Sequence, residues 1–151
     1  MSLASVRAFL AERAPDVAIL DLPERSATTT LSAAWHIAPA QIAKTLTLTA
    51  GGRSLLLVAC GDSRLDNRKA QAVFGGKTRM LPAEEAAALT GHPVGGVCPF
   101  GLATPLPVYV DVRLREFAEV VPAAGSTHAA LRIHPERLAE LAGAEWVDAC
   151  S

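Results

Sequence analysis

"KTLTLTAGGRSLLLVAC" (residues 44–60) decides the fold. Its first half alternates Leu46 and Leu48 with Thr45, Thr47 and Thr49, the period-two pattern of a strand with one buried face. Gly51-Gly52 is a hairpin signal, and residues 54–60 form a continuous apolar run suited to a central strand. Two strands joined this tightly must run antiparallel. A simple doubly wound βαβ arrangement fits poorly, because no glycine-rich fingerprint joins a first strand to its helix.

Outward from that hairpin, helices and short strands alternate irregularly. Leu3, Val6, Phe9, Leu10 and Arg13 recur at helical spacing before Pro15-Asp16 stops the pattern. Residues 17–22 read as a short strand, and residues 30–36 as a second helix ending near Pro39. Beyond the hairpin, residues 63–74 read as a helix capped by Asp62 or Ser63 and stopped by Gly75-Gly76. A strand at 78–81 leads to a helix with Pro82 in its first turn, early Glu84 and Glu85, and Gly91 at its stop. Strands follow at 107–112, 117–121, 129–134 and 145–149, with a helix over 135–143 started by Pro135. The pattern is mixed α/β, and with no repeat or linker it reads as a single domain over residues 1–151.

Half of the residues are hydrophobic, enough for a full core. No apolar run approaches the roughly 18–20 residues that span a bilayer, and Arg7, Glu12 and Arg13 make the N-terminus a helix rather than a signal peptide. Cys60, Cys98 and Cys150 are odd in number and far apart, which argues against a disulfide framework or a cysteine-based zinc site and for a reducing cytoplasm. The four histidines and three cysteines show no metal-ligand spacing, so no metal or cofactor is expected. The formal net charge is −1, yet residues 44–79 carry +5 and the remainder −6. That segregation makes a positive face suited to a phosphate-bearing ligand, or a solvated basic helix between turns.

Three features carry chemistry. "GHPVGGVCPFGL" (91–102) is too rich in Gly and Pro for a helix or strand. Its backbone N–H groups can form an anion or oxyanion nest, or the segment is a structural turn. Lys44 stands between Ile42, Ala43 and Leu46, as a snorkelling surface lysine or as a phosphate or carbonyl clamp. In "AAGSTHAALRI" (123–133), Ser126, Thr127 and His128 follow Gly125 at a loop–strand junction, where hydroxyls and an imidazole can orient water or a polar substrate group. His36 and His134 read as caps or surface groups near prolines, and His92, beside the loop, is a neutral candidate.

In this order and spacing, "IAKTL" (42–46), "LDNRK" (65–69), "GGVCPFG" (95–101) and "GSTHAALRI" (125–133) resemble the YbaK/ProX family of aminoacyl-tRNA editing domains. The glycine loop matches a G-x-x-P-x-G pattern at Gly96, Pro99 and Gly101. The resemblance implies a partly open, mixed β-barrel surrounded by helices. It implies hydrolysis, in trans, of the ester joining a wrong amino acid to the 3′ CCA end of a tRNA, often that for proline. It names an aminoacyl-tRNA synthetase or an elongation factor as candidate further partners, and no membrane.

On this reading the amides around Gly101 bind the developing oxyanion, and Lys44 holds the phosphate or ribose of the terminal adenosine in the same cleft. Cys98, Phe100, Thr127 and His128 line the aminoacyl pocket, with Gly96, Pro99 and Ser126 shaping it. Arg64, Arg68 and Lys69 are outer phosphate contacts. Relatives carry Ser or Thr where this chain has Cys98, which bears on the substrate rather than the reaction. Two rivals stand beside this reading: a thiol hydrolase using Cys98 with His92 or His128, and a non-catalytic module that binds a tRNA end or a protein.

Overall fold

The computed structural model describes residues 2–21, 37–93, 96–126 and 129–151. It opens with α1 (Ser2–Arg13) and the short β1 (Leu20–Asp21), followed by the hairpin strands β2 (Ile42–Ala50) and β3 (Arg53–Cys60). Then come α2 (Asn67–Phe74), β4 (Thr78–Met80), α3 (Ala83–Thr90), β5 (Val108–Asp111), β6 (Val121–Pro122), β7 (Ala129–Ala130), α4 (Pro135–Ala142) and β8 (Glu145–Val147). The helix expected over 30–36 lies outside the described residues.

The hairpin forms where the sequence places it. Leu48 faces Leu55 and Leu46 faces Leu57 across the antiparallel pair. Gly51 and Gly52 both take positive φ, 56° and 81°, which a two-residue turn matched to strand twist demands. β2 also pairs antiparallel with β4 through residues 48–50 and parallel with β6 through Ile42 and Ala43. On the other side β3, β5 and β8 run parallel. The order is β4-β2-β3-β5-β8, with β6 sharing the free side of β2. β1 and β7 pair separately, tied to β6 by the bridges Val120–Ile133 and Ala123–Ala130. The expected mixed strands and surrounding helices are present, but among the described residues the sheet does not close into a barrel.

Side-chain alternation divides the sheet into two buried faces. One gathers Ala43, Leu56, Val58, Val108 and Val110 with Val6 and Leu10 of α1, Leu138 of α4, and Cys98 and Phe100. The other gathers Leu48, Leu55, Leu57 and Ala59 with Ala70 and Phe74 of α2 and the C-terminal Ala149 and Cys150. Each fully buried Leu or Phe contributes about 1.5–3 kcal/mol over its exposed state.

Several boundaries differ from expectation. The strands read over 17–22, 117–121 and 129–134 are only Leu20–Asp21, Val121–Pro122 and Ala129–Ala130 among the described residues. Two further differences have a clear physical reason. The helix read from residue 63 starts at Asn67, and its cap is Asp66, whose Oδ1 accepts from Lys69 N at 3.1 Å. Residues 64–66 are already committed elsewhere. Arg64 exchanges backbone hydrogen bonds with Ser151, and Asp66 N donates to Ala149 O. The strand read over 107–112 stops at Asp111, because that side chain accepts from Arg113 N and starts a 3-10 turn over Val112–Glu116. Asp111 is fully buried. It also accepts from Ala149 N at 3.1 Å and Cys150 N at 3.0 Å, latching the C-terminal segment to the end of β5. His134 is the cap of α4, its Nδ1 accepting from Glu136 N.

Candidate functional site

The glycine-rich segment is a closed loop whose two ends are pinned to one helix end. Ala103 N donates to Thr90 O at 3.0 Å and Thr104 N to Leu89 O at 3.2 Å. Gly91, at φ 76°, ends α3, and a Cβ there would stand 2.9 Å from that of Ala103. Between these ends the described part of the loop meets three supports.

The first support is the turn after β6. Gly96 O accepts from Gly125 N at 2.9 Å, and Gly96 N donates to Pro93 O at 2.9 Å. A Cβ on Gly96 would lie 2.6 Å from Ser126 N, so this glycine permits backbone to lie on backbone. The second support is α1. Ser5 Oγ donates to Gly101 O at 2.9 Å, and a Cβ on Gly101, at φ 59°, would meet Ser5 C and O at 2.7 Å.

The third support comes from within. His92 is 1% exposed, and its Nε2 lies 2.7 Å from Phe100 O. A carbonyl only accepts, so Nε2 carries the proton and Nδ1 is the acceptor. Nδ1 is buried without a partner among the described residues, an arrangement that costs about 1–3 kcal/mol. Burial lowers the His92 pKa despite the Phe100 carbonyl, which keeps the ring neutral near pH 7. Val97 and Gly101 are half-buried, and among the described residues nothing accepts a hydrogen bond from either N–H.

Other expected loop residues point inward. Cys98 and Phe100 are 0% exposed and belong to the α1 side of the core, where Phe100 stacks on Phe9 at 5.6 Å between ring centres. Pro99 is buried as well. Cys98 and Phe100, expected to line the aminoacyl pocket, pack in the core beneath the loop. Cys98 Sγ is 3.8 Å from His92 Nε2, the pairing a thiol hydrolase would use. Yet burial pushes the Cys98 pKa up to about 12, and Nε2 already donates to Phe100 O, so it cannot take the thiol proton. Cys98→Ala should keep kcat/KM for whatever substrate the parent turns over within about threefold while losing about 1–2 kcal/mol of stability; loss of turnover would restore the thiol route.

Lys44 is half-buried in β2, in register with Ala59. Alternation puts it on the α2 face, opposite Cys98 and Phe100. Its Nζ donates to the Ser63 carbonyl just beyond β3. Among the described residues no hydrogen bond or ion pair joins Lys44 to the loop. What links them is the edge of β2: Pro122 pairs with Ala43, and three residues later Gly125 holds Gly96. Ser126 is half-buried beside Gly96, while Thr127 and His128 lie outside the described residues.

Of the basic residues expected to meet phosphates, Lys69 is occupied. Its Nζ donates to Asp148 Oδ1 at 3.1 Å and Cys150 O at 3.2 Å. Asp148, also bonded to Arg113 at 2.9 Å, has its pKa lowered by those two cations. Arg64 and Arg68 are exposed, and neither side chain is in an ion pair among the described residues. Arg68 borders a shallow depression of about 500 Å³ with Gln71, Ala72, Gly75 and Gly76. Sequence reasoning left His92 uncommitted and missed Ser5. A histidine between a helix-stopping glycine and a proline, eight residues before the carbonyl it holds, was the available signal for the first; Ser5, 96 residues from its partner, offers none.

Residues 23–141 match the aminoacyl-tRNA editing domain family. An uncharacterised protein, YwhH of Bacillus subtilis, is 39% identical over 153 residues, covering 99% of this chain and 98% of its own length. A proline–tRNA ligase of Solidesulfovibrio magneticus is 36% identical over 86 residues, which are 56% of this chain and 15% of the ligase. A crystal structure of a candidate trans-editing enzyme for prolyl-tRNA synthetase superposes with a TM-score of 0.93 at 33% identity, covering 99% of this chain and 97% of that one. No helix among the described residues is long and apolar enough to cross a membrane.

Proposed function

We infer, from the premise that this chain belongs to the aminoacyl-tRNA editing domain family, that it is a deacylase acting in trans on mischarged tRNA. The substrate is a small non-cognate amino acid (Ala, Ser, Cys or 2-aminobutyrate) esterified to the 3′ end of a tRNA, with tRNA for proline the favoured carrier. The observation that carries this reading is the bend at 96–101, held on three sides, with a Gly101 N–H that has no acceptor among the described residues.

An aminoacyl ester is already activated, so catalysis needs placement and charge stabilisation more than a strong nucleophile. Water adds to the ester carbonyl carbon, and the carbonyl oxygen takes up negative charge facing the Gly101 N–H. Collapse breaks the bond to the ribose oxygen, which leaves with a proton, and the amino acid departs as its carboxylate. The neighbouring ribose hydroxyl orients the water, so no Ser-His-Asp set is required. Lys44 engages the nucleotide end, and Arg64 and Arg68 meet phosphates farther along the RNA. A pocket that measures only apolar bulk separates side chains one methylene apart by about 1–3 kcal/mol, so neighbouring amino acids should overlap as substrates.

The decisive experiment incubates the protein with tRNA charged with Ala, Ser, Cys, 2-aminobutyrate or Pro and follows release of the amino acid. Release from at least one non-cognate pair, sparing Pro-tRNA, is expected. No release above the buffer rate from any pair would leave a binding module instead. Turnover should be unchanged by a chelator; loss on chelation with recovery on adding a divalent ion would overturn the metal-free route.

A further inference from the structure

We propose that His92 is a positioning residue that aims the Gly101 N–H. This rests on the deacylase reading and adds a residue to it. The peptide joining Phe100 to Gly101 is planar and trans, so the direction of its C=O fixes that of its N–H, on the opposite side. His92 Nε2 holds the Phe100 C=O at 2.7 Å from inside the protein, which turns the Gly101 N–H away from the buried ring. On the next peptide, Ser5 Oγ holds the Gly101 C=O at 2.9 Å. Two consecutive carbonyls are thus fixed by side chains from α3's end and from α1. The N–H between them is left without an acceptor among the described residues.

The surroundings argue that this is more than filling space. An apolar side chain of similar size would avoid the unpartnered Nδ1. The backbone that carries the ring is itself held, because His92 N donates to Thr90 Oγ1 at 3.1 Å and that hydroxyl donates to Ala86 O at 2.8 Å. Thr90 is fully buried, so the brace runs without a break from the last turn of α3 to the tip of the loop. A local arrangement that is unfavourable in isolation, yet built into a rigid frame, is expected where geometry serves chemistry.

The test compares His92→Phe, which keeps a ring but removes the donor, with His92→Gln, which keeps a donor at similar reach. Leu57→Ala, on the opposite core face, serves as a control for lost stability. All are assayed well below their melting temperatures, on whichever charged tRNA the parent protein deacylates. His92→Phe should lose at least tenfold in kcat with KM within about twofold, His92→Gln should recover to within about threefold of the parent, and Leu57→Ala should keep kcat. Should His92→Phe fail to fold by circular dichroism, His92→Met takes its place. Parent-like kcat in the donor-less variant, or an equal loss in Leu57→Ala, overturns the proposal. A parent protein inactive on every charged tRNA would instead defeat the deacylase reading.

Discussion

Gly96→Ala should abolish deacylation while leaving the sheet folded. The added methyl would come within 2.6 Å of Ser126 N and 2.9 Å of Gly125 C, and both are backbone atoms that no rotamer change can move. Loop and turn must separate, breaking the 2.9 Å bond from Gly125 N to Gly96 O. The strands below do not depend on that contact, because β6 is held to β2 through Ile42 and Ala43. Misplacing a catalytic group by about 1 Å costs roughly 100-fold, so kcat/KM should fall by at least about that factor, with the far-ultraviolet circular dichroism spectrum preserved. Activity within twofold of the parent would mean that contact between loop and turn has no part in catalysis.

Lys44→Ala is the second large effect. The ammonium lies on the α2 face and is bonded to Ser63 O, whereas the loop packs on the α1 face. If Lys44 engages the nucleotide end, substrate must reach around the edge of β2. Losing a charge-assisted hydrogen bond to phosphate then costs about 1.5–3 kcal/mol, roughly a 10- to 150-fold rise in KM, with the salt dependence of KM reduced. Lys44→Arg should retain part of the affinity. The opposing result is a lower melting temperature with KM unchanged. It would make Lys44 a tether between β2 and the segment leading to α2, and the RNA contact would fall to Arg64 and Arg68.

Much of the frame was legible because its signals are local. The 44–60 hairpin, the glycine stops at Gly75 and Gly91, and the His134 cap each follow from residues within a few positions of one another. What stayed hidden depends on partners far along the chain. The start of α2 is set by pairing with Ala149 and Ser151, more than eighty residues away. At the loop, the Gly-Pro pattern announced a special backbone but not its orientation. That Cys98 and Phe100 pack towards α1 could not be read locally, because nothing nearby in the chain says which side of a bend faces that helix. For Lys44, alternation along β2 places it on the side of Leu46 and Leu48, but its partner, the Ser63 carbonyl, comes from beyond the next strand.

The parallel trio β3, β5 and β8 has a consequence for how the molecule is made. β8 is the last strand on the chain, yet it borders β5 in the sheet, and the residues after it cover the α2 side and satisfy Asp111. A nascent chain leaving the ribosome can form the β2–β3 hairpin early, but it carries a carboxylate short of two backbone donors and an open sheet edge until residues 145–150 emerge. Partly synthesised molecules should therefore be the species most exposed to chaperones and proteases, and a stalled ribosome holding back those residues should yield a chain readily cut near β5.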